Sequence, residues 1–88
     1  MGFEDTIAAI ATAAGQGGIA ILRISGPRAR EVLKALFRPA GKQEKNFPSH
    51  LMVYGHLVRG GEPVDEGLAV LMHAPRSYTR EDVAEIHL

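Results

Sequence analysis

Two charged residues stand inside runs that otherwise read as buried strand. Arg23 interrupts "IAILRIS" at 19–25, and Glu85 interrupts "VAEIHL" at 83–88. A guanidinium cannot shed its charge, and burying one without a partner is very costly. Strand alternation puts Ile19, Ile21 and Arg23 on one face of their segment, and Val83, Glu85 and His87 on one face of theirs. Two readings stay open. In the first, Arg23 and Glu85 form a structural ion pair, or each reaches water at a sheet edge. In the second, both line a ligand pocket, a mostly apolar cavity with a few placed polar groups. The carboxylate then suits a ligand with adjacent N–H donors, and the guanidinium suits a carbonyl or carboxylate.

Other residues capable of chemistry carry weaker signals. "GQGG" at 15–18 has the composition of a phosphate loop but opens onto a strand, whereas phosphate loops open onto helix N-termini. A plain turn explains it, and no G-x-x-x-x-G-K-[ST] pattern occurs. His50, His56, His73 and His87 lack metal-site spacing, so no metal site is expected. Ser77, Tyr78 and Thr79 offer hydroxyls outside any nucleophile motif. Thr79 followed by Asp82 resembles a capping box and is expected to shape the turn into the last strand. Arg28, Arg30, Lys34 and Arg38 form a basic helix face, read as solvated rather than as an RNA contact. No catalytic residue is expected.

The elements that must position Arg23 and Glu85 follow from pattern. "DTIAAIAT" at 5–12 reads as a short strand, although its alanines leave a helix possible. Residues 13–18 form a glycine-bearing turn into the strand at 19–25, giving a hairpin. Gly26-Pro27 opens a helix, with Ser25 or Gly26 as cap and Pro27 at the first helical position. Ala29, Val32, Leu33, Leu36 and Phe37 make one apolar stripe, and Pro39 and Gly41 stop the helix. Residues 40–50 read as an exposed, mobile loop. Strands follow at 51–59 and 66–73, joined through Gly60-Gly61 and residues up to 65, with Leu68, Val70 and Met72 on one face. The order β-β-α-β-β-β predicts an α+β fold: a mostly antiparallel sheet of about five strands with one main helix packed on a face.

Composition bounds the rest. Eighty-eight residues make one small domain, 1–88, and such a chain buries only about 60–65% of its unfolded surface. With no cysteine, disulfides cannot supplement the core. Ten basic residues balance ten acidic ones, which removes the broad argument for nucleic-acid binding. The lack of cysteine fits a reducing compartment, and a cytoplasmic location is expected. No stretch reaches the ~20 apolar residues of a membrane span, and no signal peptide is evident. "MGFEDT" matches the loose myristoylation pattern, but Glu4 and Asp5 lead straight into a strand-like segment.

"DTIAAIAT" (5–12), "GQGGIAILRISGP" (15–27) and "APRSYTREDVAEIHL" (74–88) together resemble the N-terminal part of the MnmE/TrmE family of tRNA modification GTPases. "RISGP" and "SYT-x-EDV-x-E" are specific, and the likeness is weakest over 38–60. The resemblance implies a domain like the folate-binding domains of aminomethyltransferases, which binds 5-formyl- or methylene-tetrahydrofolate and joins two subunits as a homodimer. It places folate contacts on Arg23, by match to "LRISG", and on Glu85, by match to "EDVAEIH". It implies a pterin pocket walled by Ile19, Ile21 or Tyr78. It also implies a parent protein with helical and GTPase domains, GTP, Mg and K ions in the GTPase domain, and a flavoprotein partner. The parent modifies the wobble uridine of tRNA. The fragment itself is expected not to be catalytic.

The sequence departs from the family at loops: Ala13-Ala14 replaces a usual Pro-Pro, Gln16 an often basic residue, Arg80 a frequent glycine, and Leu88 a common cysteine. A further basic folate contact of the family lies past residue 88. The chain is therefore expected to be a C-terminally truncated domain with weak folate affinity, exposed apolar sheet surface and a tendency to self-associate. Two other readings remain: a one-carbon transferase domain, which needs an acid–base group at the folate nitrogen, and a purely structural interaction domain.

Overall fold

The computed structural model describes residues 6–12, 20–41, 46–73 and 81–88. Strand pairing organises them. β1 (Ile7–Thr12), β2 (Ile21–Ser25), β3 (Phe37–Pro39), β4 (Val53–Arg59), β5 (Glu62–Met72) and β6 (Val83–His87) form a sheet in the order β1-β2-β6-β5-β4-β3. Every described pairing is antiparallel. One helix, α1 (Ala29–Leu36), packs on a single face. The α+β expectation holds, with six strands rather than about five.

The core lies between α1 and that face. Ala29 and Leu33 of the helix meet Ile24 of β2, Ala84 and Ile86 of β6, Ala69 and Leu71 of β5, and Val53 of β4, all fully or almost fully buried. The stripe expected from the i, i+3, i+4 spacing supplies the helix side of this contact. β1 settles as a strand despite its alanines, because it pairs along β2 from Ile7↔Ser25 to Ile10↔Leu22.

Both helix ends differ from expectation. Neither Ser25 nor Gly26 caps the N-terminus with a side chain: the helix begins at Ala29 with Arg28 at the cap position, and Pro27 lies in the preceding turn. The Arg28 backbone N–H donates instead to Thr6 Oγ1 at 3.0 Å, so a hydroxyl ahead of β1 does the capping. Thr6→Ala is expected to cost about 1 kcal/mol, a melting loss of about 4–8 °C measurable by circular dichroism. At the other end the helix stops at Leu36, and Phe37 turns extended at φ −131°, ψ 128°. Proline biases the residue before it away from helix. Pro39 itself fits β3 because that strand is the sheet edge. The change of direction leaves Phe37 only 1% exposed.

The segment expected as an exposed loop is anchored. Residues 42–45 lie outside the described residues, but Phe47 is fully buried, its ring centroid 6.3 Å from that of Phe37. One aromatic ring among polar neighbours has enough apolar area to hold a loop down. The basic helix face contributes to the anchoring: Arg30 donates to the Asn46 carbonyl at 2.7 Å. Arg28 pairs with Glu31, and Arg38 donates to the Gly61 carbonyl.

β5 begins at Glu62, four residues earlier than expected, so only Gly60-Gly61 forms the hairpin turn. Both glycines have positive φ, +59° and +84°, as a two-residue hairpin turn requires. β5 includes Pro63, a residue that cannot donate to a ladder. It is tolerated because β6 pairs only with residues 68–72 of β5, which leaves that edge without a described partner strand at Pro63. The expected turn at 13–18, the Ser77–Thr79 hydroxyls and the Thr79 cap lie outside the described residues.

Candidate ligand-binding site

Arg23 and Glu85 meet. They are direct cross-strand partners in the β2–β6 ladder, 62 residues apart in sequence, on the sheet face away from α1. Arg23 Nε and Nη2 both donate to Glu85 Oε2, at 2.9 and 2.6 Å. Oε1 of the same carboxylate accepts from His87 Nε2 at 2.9 Å. His87 follows Glu85 by two positions and so shares its face. The three side chains form one connected polar cluster in the middle of the sheet.

Register fixes the surroundings. The row through the pair runs Ala9, Arg23, Glu85, Val70, and the next runs Ile21, His87, Leu68, Tyr54. A charged pair thus sits among aliphatic side chains, with Leu68 and Tyr54 exposed on the same face. Leu68, Val70 and Met72 share that face as the alternation predicted. Ile19 and Tyr78, expected as pocket walls, lie outside the described residues. Two cavities lined by described residues, of about 350 and 570 Å³, flank α1, and neither is lined by Arg23 or Glu85.

Burial pushes the Glu85 carboxyl up, but hydrogen bonds and charge from Arg23 and His87 outweigh it and hold the group below its ordinary range. The carboxylate is therefore ionised at neutral pH. Oε2 takes two N–H donors from Arg23 and Oε1 takes one from His87, and an ionised carboxylate offers about four lone-pair sites. One of these sites, on Oε1, is left for a further N–H donor. The sign of the pH dependence follows. Glu85 is depressed in the folded state, so it adds stability above the ordinary carboxylate value of about 4.3 and loses it as pH falls through the folded value. Urea midpoints of the wild type and Glu85→Gln are expected to differ by a constant amount from pH 7 to about 5 and to converge below.

The four histidines occupy separate places. His50 contacts Ser49, His56 lies edge-on to Tyr54, His73 pairs with Asp82, and His87 pairs with Glu85. Among the described residues no three His, Cys, Asp or Glu side chains form a metal-binding group. No helix among them is long and apolar enough to cross a membrane. Sequence reading singled out Arg23 and Glu85 but gave His87 no role. The signal was its place two residues after Glu85, on the same face.

The family described as "GTP-binding protein TrmE N-terminus" matches residues 6–88. The chain belongs to this TrmE N-terminal family. Curated relatives agree. It is 53% identical over 87 residues to the tRNA modification GTPase MnmE of Nitratidesulfovibrio vulgaris strain DP4, covering 99% of this chain and 19% of that protein. To the MnmE of Synechococcus sp. strain RCC307 it is 56% identical, covering 96% of this chain and 19% of that protein. To that of Geobacter sulfurreducens it is 55% identical, covering 94% and 18%. This TrmE N-terminal chain spans about a fifth of the length of the relatives it matches.

Proposed function

We propose that this chain is the module of a tRNA wobble-uridine modification GTPase that holds a one-carbon tetrahydrofolate and joins two subunits. The observation that carries the reading is the Glu85 carboxylate, held ionised by Arg23 on a sheet face that α1 leaves uncovered. A pterin presents an amino group and a ring N–H side by side; Oε1 keeps a lone pair for one of them, and Oε2 takes the other once an Arg23 N–H turns from it to the ligand. Arg23 holds Glu85 charged and offers its own donors to an oxygen of the pterin or of the glutamyl tail. The aliphatic neighbours Ile21, Val70 and Leu68 suit a flat, partly apolar ring. Bound folate, in the 5-formyl or methylene form, supplies the one-carbon unit; the residues of this chain bind and orient it. The likeness to aminomethyltransferase-type domains belongs to the same proposal.

Family membership supports the wider setting. In the parent, the GTPase domain binds GTP with Mg and K ions, a flavoprotein is the partner, tRNA is the substrate, and the location is cytoplasmic. The apolar side chains exposed on the open face, Ile7, Leu68 and Tyr54 among them, support homodimerisation.

Isothermal titration calorimetry with 5-formyltetrahydrofolate tests the cofactor reading. Saturable heat is expected, and its absence at high micromolar protein would leave a structural interaction domain, in which Arg23 and Glu85 merely pair. Sedimentation velocity tests the association: a concentration-dependent rise in sedimentation coefficient is expected, and a strict monomer across a wide range would overturn it.

A further inference from the structure

We infer that His87 is a positioning residue of the folate site, acting through Glu85; the inference rests on the cofactor reading above. An ionised carboxylate has no proton to give, so the 2.9 Å contact requires His87 Nε2 to carry the hydrogen and donate it to Oε1. Arg23 takes the other oxygen, Oε2, with two donors. A carboxylate held from one side only can still swing about its terminal torsion, which is broad and roughly two-fold. Held on both oxygens, it has a fixed plane. Three donors then fill three of its roughly four lone-pair sites, and the one left, on Oε1, has a fixed direction for a ligand N–H.

The placement of His87 supports more than a chance contact. Glu85 is a part-buried carboxylate, its side chain 13% exposed, and such a group needs its lone pairs filled. His87 is 30% exposed and sits where the polar cluster meets the row of Ile21, Leu68 and Tyr54. In its neutral form its Nδ1 keeps an acceptor lone pair. The ring is therefore at the rim between the charged and apolar parts of the site, while its donor is spent on orientation.

Three substitutions test this. His87→Gln keeps a donor at a similar reach; His87→Leu keeps volume and removes the donor; His87→Asn is polar but too short to reach Oε1. Affinity for 5-formyltetrahydrofolate is measured by calorimetry on each, with folding checked by thermal melts. His87→Leu is expected to weaken binding about tenfold, the loss of one hydrogen bond to a charged group, and His87→Gln to stay within about threefold of wild type. If His87→Leu does not fold, His87→Asn replaces it, with the same expected loss. Binding by Leu and Asn variants as tight as wild type, or by the Gln variant as weak as Leu, would overturn the role of His87 alone. A wild type that binds no folate overturns the cofactor reading itself, and this inference with it.

Discussion

Glu85→Ala is expected to lower affinity for 5-formyltetrahydrofolate by about a hundredfold or more. Hydrogen bonds to a charged group contribute about 1.5–3 kcal/mol each, and the proposed pairing uses two, so about 3 kcal/mol is the lower bound and two decades of affinity the minimum loss. Arg23→Ala is expected to cost less, about tenfold, because His87 still holds the carboxylate by its other oxygen. The fold should survive both changes. The Arg23 side chain is already 37% exposed, so its guanidinium can turn to water when Glu85 is removed, which limits the penalty of an orphaned charge. Melting curves separate the two effects: a modest fall in melting temperature with a large fall in affinity is the expected pattern. If both variants bind folate as tightly as wild type, Arg23 and Glu85 are not the ligand contacts.

The largest expected effect on stability lies elsewhere, at Gly55. This β4 residue is buried opposite Pro39 of β3 and Gly67 of β5. A Cβ added there would run into the Arg38 carbonyl oxygen and lie 2.7 Å from Phe37 Cε2. The first obstacle is backbone and the second is a core ring, so neither can give way cheaply. Gly55→Ala must push β3 off the sheet or shift Phe37 out of the core. Overpacking of this kind costs about 3 kcal/mol, which for a chain of this size is a melting loss of about 12–24 °C. Hydrogen exchange should locate the damage in β3 and the end of α1. A melting temperature within about 3 °C of wild type would show that the β3–β4 contact is not tight.

Much of this architecture was legible because it rests on short-range patterns. The apolar stripe from Ala29 to Leu36 gave the helix and its buried face, and Gly60-Gly61 gave the hairpin. Alternation placed Arg23 and Glu85 each on a defined face. It could not pair those faces, because the β2–β6 ladder joins segments 62 residues apart and nothing in either segment names its neighbour. The parts that stayed hidden share a cause. β3 is three residues long, too short to show a period, and exists because Phe37 is drawn into the core. The first half of β5 contains a proline and three acids, and is a strand only because β4 beside it supplies the ladder. Phe47 sits in a polar stretch, so its burial depends on a gap beside Phe37 that no local pattern reveals. His87 was on the right face, but its value depends on which Glu85 oxygen Arg23 leaves open.

The position of β6 has a consequence for how this molecule comes into being. The latest-made of the described strands, β6, lies between β2 and β5, so the β1–β2 hairpin and the β4–β5 hairpin share no described ladder until residues 83–87 arrive. A nascent chain short of that point holds two separate ribbons, and Arg23 has no carboxylate across from it. Pairings of such wide sequence separation close slowly, since chain entropy must be surrendered before contacts reward it. Closure of the sheet and formation of the Arg23–Glu85 pair are one event. A small molecule that binds the proposed site only once the sheet has closed would hold all six described strands together by mass action.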